Sequence, residues 1–321
     1  MKDKGDLIKP ESSSEKVNYL IRPSKQVERK LIIEALHRLQ TAYSIDNYQY
    51  VGMGSLFYVD FQMFHKYLGI KDMVSMEMEE EKINRFDFNK PYDFIELRPG
   101  ISTDLLPALD WRKDMFIWLD YDSEISKMVV SDIQIICNRI KRGGILVITL
   151  DAKPERFETP ERDTSIPVNK NRLKNFKESL YPYHPFDMSE KDLSAKRLPS
   201  LLREIVIGVI NDELERRQLK FFQVFSFKYK DTAPMYTIGG IFEEDFANIE
   251  KSGLFNLDFI SGNATIVHIN LPIITPLEKI CFDQLIPNIA GKLGESFLTK
   301  EQLENYEKFY KHYPQYFEAF L

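Results

Sequence analysis

The sequence predicts an α/β fold: a doubly wound, mostly parallel sheet that ends in an antiparallel β-hairpin, with a mainly helical C-terminal extension. Three observations predict it. Short apolar runs recur at roughly 20–30-residue intervals through the first half of the chain, stretches of helical periodicity separate them, and two longer strand-like runs then flank only Lys230–Pro234. Short strands alternating with helical patterns are the signature of βαβ units and a parallel sheet. Two strands joined by so short a connection pair as a hairpin.

The elements follow in order. Lys25–Gln40 places Val27, Leu31, Ala35, Leu36 and Leu39 on one helical face, ahead of a first strand at Asn47–Gly52. Ser55–Leu68 reads as a helix stopped by Gly69 at its C′ position. Strands two to five are expected at Asp72–Glu77, Tyr92–Leu97, Met115–Asp120 and Gly144–Leu150. The uninterrupted MFIW and ILVITL runs suit strands covered on both faces. Ser123–Lys141 carries Ile125, Met128, Val129, Ile133, Ile136 and Ile140, and ends in basic residues and glycine, as helix C-termini do. Ala152–Pro199 is charged, proline-bearing and weakly periodic, a segment too long for a plain connection. A helix at Ser200–Gln218 precedes the hairpin strands Phe221–Tyr229 and Met235–Phe242. Beyond them, Thr275-Pro276 and Thr299 with Gln302 mark two helix starts. The expected organisation is a polar tail over residues 1–18, a domain over 19–242 with an insertion at 152–199, and an extension over 243–321.

Composition narrows the function classes. The chain has 321 residues, 43% apolar and 29% charged, with a formal net charge of −6. Disorder, collagen and a coiled-coil rod are excluded. No apolar run is long enough to cross a bilayer, and the N-terminus lacks the apolar stretch of a signal peptide. An acidic balance does not favour nucleic acid as the partner. Two cysteines and five scattered histidines give neither a disulfide framework nor a zinc spacing, so a cytoplasmic compartment and no metal are expected.

Four constellations could carry chemistry. Gly52-Met53-Gly54-Ser55 follows the first strand, where two glycines let backbone approach a ligand and a helix N-terminus attracts anions. Glu77, with Glu79 as its rival, ends strand two, 25 positions beyond Gly52, where an acid in a doubly wound sheet takes ribose hydroxyls. Gly100–Asp104 follows strand three; Ser102 or Thr103 there also suits a helix cap. Asp120, Asp122 and Glu124 cluster at the end of strand four, where ligands sit in such folds; helix capping by Asp122-Ser123 or a hard cation are the competing readings. Asn89-Lys90-Pro91-Tyr92 reads as a turn. His184 lies in an aromatic stretch of the insertion, and the aromatic C-terminus suits core packing or a homodimer contact.

The hairpin, GMGS after strand one, SMEME at strand two and LDYD at strand four resemble the class I S-adenosylmethionine-dependent methyltransferases, which share a Rossmann-like sheet. The run YVGMGSLFYVDFQMFHKYLGIKDMVSMEME is similar to bacterial proteins described as O-methyltransferases, and the resemblance spans Tyr50–Phe242. It implies S-adenosylmethionine as cofactor, held by Gly52, Met53, Gly54, Ser55, Glu77, Ile101, Ser102 and Asp120. Ile101 would pack on the adenine, Ser102 or Asp104 would meet its amine, and Asp120 would meet the cofactor's ammonium. Asp122, Glu124 and His184 are the catalytic candidates, acting on the oxygen of an unidentified acceptor. Tyr50 stands where the family carries an acid and Leu56 where it carries a third glycine, so the contact that acid makes with the methionine end has to come from elsewhere. A non-turning-over ligand-binding module and a nucleic-acid methyltransferase are the alternatives.

Overall fold

The computed structural model describes residues 22–158, 165–260, 262, 264–293 and 297–314, so the polar tail lies outside the described residues. Helix α1 (Pro23–Leu39) leads into strand β1 (Gln49–Met53), followed by α2 (Val59–Leu68), β2 (Asp72–Glu77), α3 (Ile83–Phe88), β3 (Ile95–Pro99), α4 (Ser102–Leu105), β4 (Met115–Asp120), α5 (Lys127–Arg139) and β5 (Ile145–Asp151). Then come α6 (Val168–Leu180), α7 (Leu198–Leu214), the hairpin β6 (Lys220–Lys230) and β7 (Pro234–Glu243), and α8 (Ala247–Lys251). The chain closes with β8 (Val267–Ile269), α9 (Pro276–Leu285), α10 (Ile289–Lys292) and α11 (Lys300–Phe309).

One eight-stranded sheet organises the molecule, in the order β3-β2-β1-β4-β5-β7-β6-β8. Strands β1 to β5 pair in parallel. β7 lies antiparallel between β5 and β6, as the hairpin pattern predicts. The order in which successive strands are added reverses between β1 and β4, although the two run parallel, and this opens a crevice at the carboxyl ends of the strands.

Each sheet face has its own core because alternate side chains of a strand point to opposite faces. Val51, Ile117, Leu119, Leu146 and Ile148 face α5 and α7, with Ile133, Ile136, Val206 and Ile210. Tyr50, Phe116, Trp118 and Val147 face α1 and α2, with Leu31, Leu36, Phe61 and Phe64. A third, smaller cluster joins Phe282, Ile289, Leu303 and Tyr306 of the C-terminal helices.

The structure departs from the sequence reading in four places. Helix α2 begins at Val59 rather than Ser55, because Ser55–Tyr58 form a turn in which Tyr58 takes a left-handed φ of 47°. Gly69 does end that helix in the left-handed region, where glycine carries no Cβ penalty. Helix α5 begins at Lys127 and is capped by Ser126, not by Asp122 or Ser123. Within the insertion, α6 seats Phe176 and Leu180 in the core, with Phe157 edge-on to Phe176 at 4.8 Å. The fourth is β8, which extends the sheet beside β6 with only three residues.

Candidate active site

A cavity of about 230 Å³ opens at the carboxyl edge of the sheet. Four loops bring one stretch each: Met53–Ser55 after β1, Met76–Glu79 at the end of β2, Gly100–Ser102 after β3 and Asp120–Ser123 after β4. Tyr58 with the first turn of α2, Arg29 of α1, Phe86 of α3 and Met128 of α5 complete its wall.

The two glycines of the first loop do different things. A Cβ on Gly54 would fall 1.8 Å from Glu77 Oε1 and 2.1 Å from Ser75 Oγ, so only glycine lets the β2 carboxylate tuck beneath the β1 loop. Gly52 does not line the cavity. A Cβ there would meet the Tyr50 hydroxyl at 2.4 Å, so this glycine makes room for the Tyr50 ring, which is buried against Phe61, Phe64 and Phe116 at 4.8–5.1 Å. Tyr50 thus serves the core, as an aromatic replacing an acid should.

Glu77 is buried, and the Ser75 hydroxyl donates to its Oε1 at 3.0 Å. Burial with no cation beside it pushes the carboxyl up to about 8, although the Ser75 hydrogen bond opposes the shift. Glu79, its rival, also borders the cavity but pairs with Lys82 at 3.2 Å.

Asp120 shows the opposite balance. Burial works against its charge, but the Lys25 ammonium at 2.8 Å, with Arg22 and Arg29 behind it, outweighs burial and lowers the pKa. Lys25 is itself fully buried, 4.4 Å from the centre of the Trp118 ring, and also meets Glu28 at 2.8 Å. Burial raises the pKa of Glu28 despite that contact.

Asp132 of α5 ties two of the loops together. Its carboxylate accepts from Ser102, from Thr103 at 2.8 Å and from Tyr121 at 2.5 Å. Ser102 and Thr103 are therefore not caps; the cap position of α4 is Ile101, with no side-chain bond. Ser102 spends its hydrogen on Asp132, so toward any other group its hydroxyl can only accept.

The predicted residues are only partly assembled. Met53, Gly54, Ser55, Glu77, Ile101, Ser102, Asp120 and Asp122 line the cavity. Gly52, Glu124 and His184 do not, and His184 Nδ1 lies 3.0 Å from the Pro185 carbonyl. No described residue of the insertion lines it, although Arg156 binds Asp151 at 2.7 Å and reaches the Asp122 carbonyl at 3.5 Å. Arg29, Asp60 and Tyr121 line the cavity without having been singled out. Lys25, Glu28 and Arg29 sit at i, i+3 and i+4, a spacing that normally marks a solvated face; their burial is what sets them apart. Among the described residues no group of three or more His, Cys, Asp or Glu could hold a metal, and no helix is long and apolar enough to cross a membrane.

Comparisons with known proteins place this geometry in context. A family model described as "Putative O-methyltransferase" matches residues 17–321. Among solved structures, Trm1 from Pyrococcus horikoshii in complex with S-adenosyl-L-methionine is similar over 72% of this chain at 11% identity and a TM-score of 0.45. This chain spans only 58% of that one. The SAH-bound methyltransferase PaMTH1 of Podospora anserina matches 64% of this chain and 76% of its own, at 11% identity and a TM-score of 0.34. TYW2 of P. horikoshii, in complex with MeSAdo, matches 72% and 66%, at 11% identity and a TM-score of 0.37. No curated protein matches the chain.

Proposed function

This chain belongs to the O-methyltransferase family whose model spans it, and from that premise we propose that it transfers a methyl group to an oxygen of its acceptor. The methyl donor is S-adenosylmethionine, which when bound supplies an electrophilic methyl on its sulfonium. The residues present fit that group. The observation that carries the reading is the Gly54–Glu77 cradle, a carboxylate held under a side-chain-free turn beside the point where the strand order reverses.

Glu77 accepts the two ribose hydroxyls, and Met53, Gly54 and Ser55 offer backbone beside them. Ile101, 40% exposed, gives the adenine an apolar surface, and Ser102 accepts from its amine. Asp120, kept anionic by Lys25, takes the ammonium of the methionine moiety. Asp122 is exposed on the cavity wall, where it orients the acceptor hydroxyl and takes its proton. Most of the rate in such a transfer comes from alignment, so one carboxylate at the acceptor side is sufficient.

Two measurements test this. Calorimetry should find binding of S-adenosylmethionine and S-adenosylhomocysteine but not of NADH; binding of NADH alone would overturn the cofactor. Label from methyl-labelled S-adenosylmethionine should pass to phenols or alcohols in an acceptor panel, and transfer confined to amines or nucleic acid would overturn the oxygen. D122N should lower turnover about 100-fold, the usual size of a general-base effect, while leaving S-adenosylhomocysteine affinity within about twofold.

A further inference from the structure

Arg29 is 2% exposed, yet it lines the cavity. Its Nε donates to Asp60 Oδ1, in the first turn of α2. Its Nη1 is buried and has no hydrogen-bond partner among the described residues. A guanidinium is charged at every accessible pH, and a buried, unanswered N–H on it is costly. Buried charges of this kind are paired or await a ligand.

The position of Arg29 says which ligand atom that is. Glu77 and the Gly100–Ser102 loop lie on the β2 and β3 side of β1, whereas Asp120 lies on β4, across the switch in strand order. Arg29 is close enough to Asp120 for each to favour the other's charge. The β4 side therefore presents a cation with an unpartnered, buried N–H next to a carboxylate that keeps 19% of its side-chain surface open. A zwitterionic amino-acid group has the complementary pair of charges. The planar fork of arginine matches a carboxylate in geometry as well as charge.

Resting on the cofactor reading above, we propose that Arg29 binds the α-carboxylate of the methionine moiety of S-adenosylmethionine, so that helix α1, which precedes the sheet, holds the amino-acid end of the cofactor. The β1 position where the family carries an acid holds Tyr50, which brings no charge there and packs its ring into the core. Asp60 then serves as a positioning residue, fixing the guanidinium plane through Nε.

The test compares two ligands that share the nucleoside and the thioether. S-adenosylhomocysteine carries the amino-acid group and 5′-methylthioadenosine lacks it. Calorimetry on the full chain should find wild type preferring S-adenosylhomocysteine. R29K keeps a charge against Asp60 but loses the fork, and R29Q/D60N removes both charges together, so neither strands an unpaired acid. In R29Q/D60N, affinity for S-adenosylhomocysteine should fall at least tenfold, the scale of one lost charge-assisted bond. Affinity for 5′-methylthioadenosine should stay within about twofold, and the preference should vanish; R29K should fall between. Equal losses for both ligands, or no loss for S-adenosylhomocysteine, would overturn the assignment. Wild-type protein that binds neither ligand would overturn the cofactor reading and this one with it.

Discussion

Glu77 is the carboxyl of the cavity that burial shifts upward. Its carboxyl sits at about 8 in the folded chain against an ordinary value of 4.5. Between those values the folded state holds a proton that the unfolded state has released, so stability falls as pH rises through that window and levels off above it. The cost is on the order of 5 kcal/mol in all, at about 1.4 kcal/mol per pH unit between the two values. The ligand-free protein should therefore melt at a lower temperature at pH 8 than at pH 5.5, and E77Q should flatten that slope; an unchanged slope in E77Q would place the titration elsewhere. Ribose hydroxyls favour the ionised carboxylate, so affinity for S-adenosylhomocysteine should rise with pH up to about 8 and binding near neutrality should release a proton, readable by calorimetry in buffers of different ionisation enthalpy. Gly54 makes the same point sterically. In G54A the added methyl would occupy the place of Glu77 Oε1, so the carboxylate must swing out and affinity should drop by about tenfold or more, the value of hydrogen bonds to a charged group. The melting temperature should change little, and wild-type affinity in G54A would show that the cradle is not used.

At the scale of elements, Asp132 shows how a helix sets two loops. Its carboxylate accepts from Ser102 and Thr103 at the start of α4 and from Tyr121 just after β4. D132N keeps the size but loses acceptor capacity, leaving buried hydroxyls short of a partner at about 1–3 kcal/mol each. The variant should melt earlier and bind S-adenosylhomocysteine more weakly, since Ser102 and Tyr121 both line the cavity; full affinity in a destabilised D132N would confine the clamp to a structural role. None of this was legible in the sequence, because Asp132 reads there as one polar position in an apolar helix. The strands were legible for the opposite reason. Met115–Asp120 carries its burial in five consecutive apolar residues and Asp72–Glu77 sets Met73, Val74 and Met76 between two acids, so their bounds follow directly. The start of α2 was not, because Ser55-Leu56-Phe57-Tyr58 satisfies a helical period while its backbone turns through a left-handed Tyr58. The insertion helix was hidden for lack of apolar residues, since Phe176 and Leu180 anchor it with Asn171 as the third buried position. At the site, the loop residues were found because they follow strands, whereas Arg29 was not, because it belongs to a helix whose role in the fold was read as packing alone.

Across the whole molecule, the C-terminal region divides between two cores, and the division bears on the site. Phe309, at the end of α11, lies in the cluster that packs α1 against the sheet, together with Val27, Leu31 and Trp118. Phe282 and Tyr306 belong to the small cluster of the C-terminal helices, their rings edge-on at 5.6 Å. Polar contacts follow the first group. Lys30 of α1 donates to the Tyr313 carbonyl at 2.7 Å, and His312 meets Glu34 of the same helix at 2.6 Å. Phe309, His312 and Tyr313 thus brace α1 from behind, while α1 presents Lys25 and Arg29 toward the strand ends. Two truncations separate these roles. F309A and F282A each remove a ring that is 1% exposed, and each should cost about 3–5 kcal/mol, the range for buried phenylalanine. Their effects on ligand affinity should differ. F309A leaves a cavity in the core that holds α1 and lets the helix settle away from the sheet, so S-adenosylhomocysteine affinity should fall several-fold at a temperature where the protein remains folded. F282A weakens only the outer cluster, so affinity should stay at the wild-type value despite a comparable loss in melting temperature. If both variants lose affinity in proportion to stability, the effect is global loosening, and α1 is not the route by which the C-terminal region reaches the site.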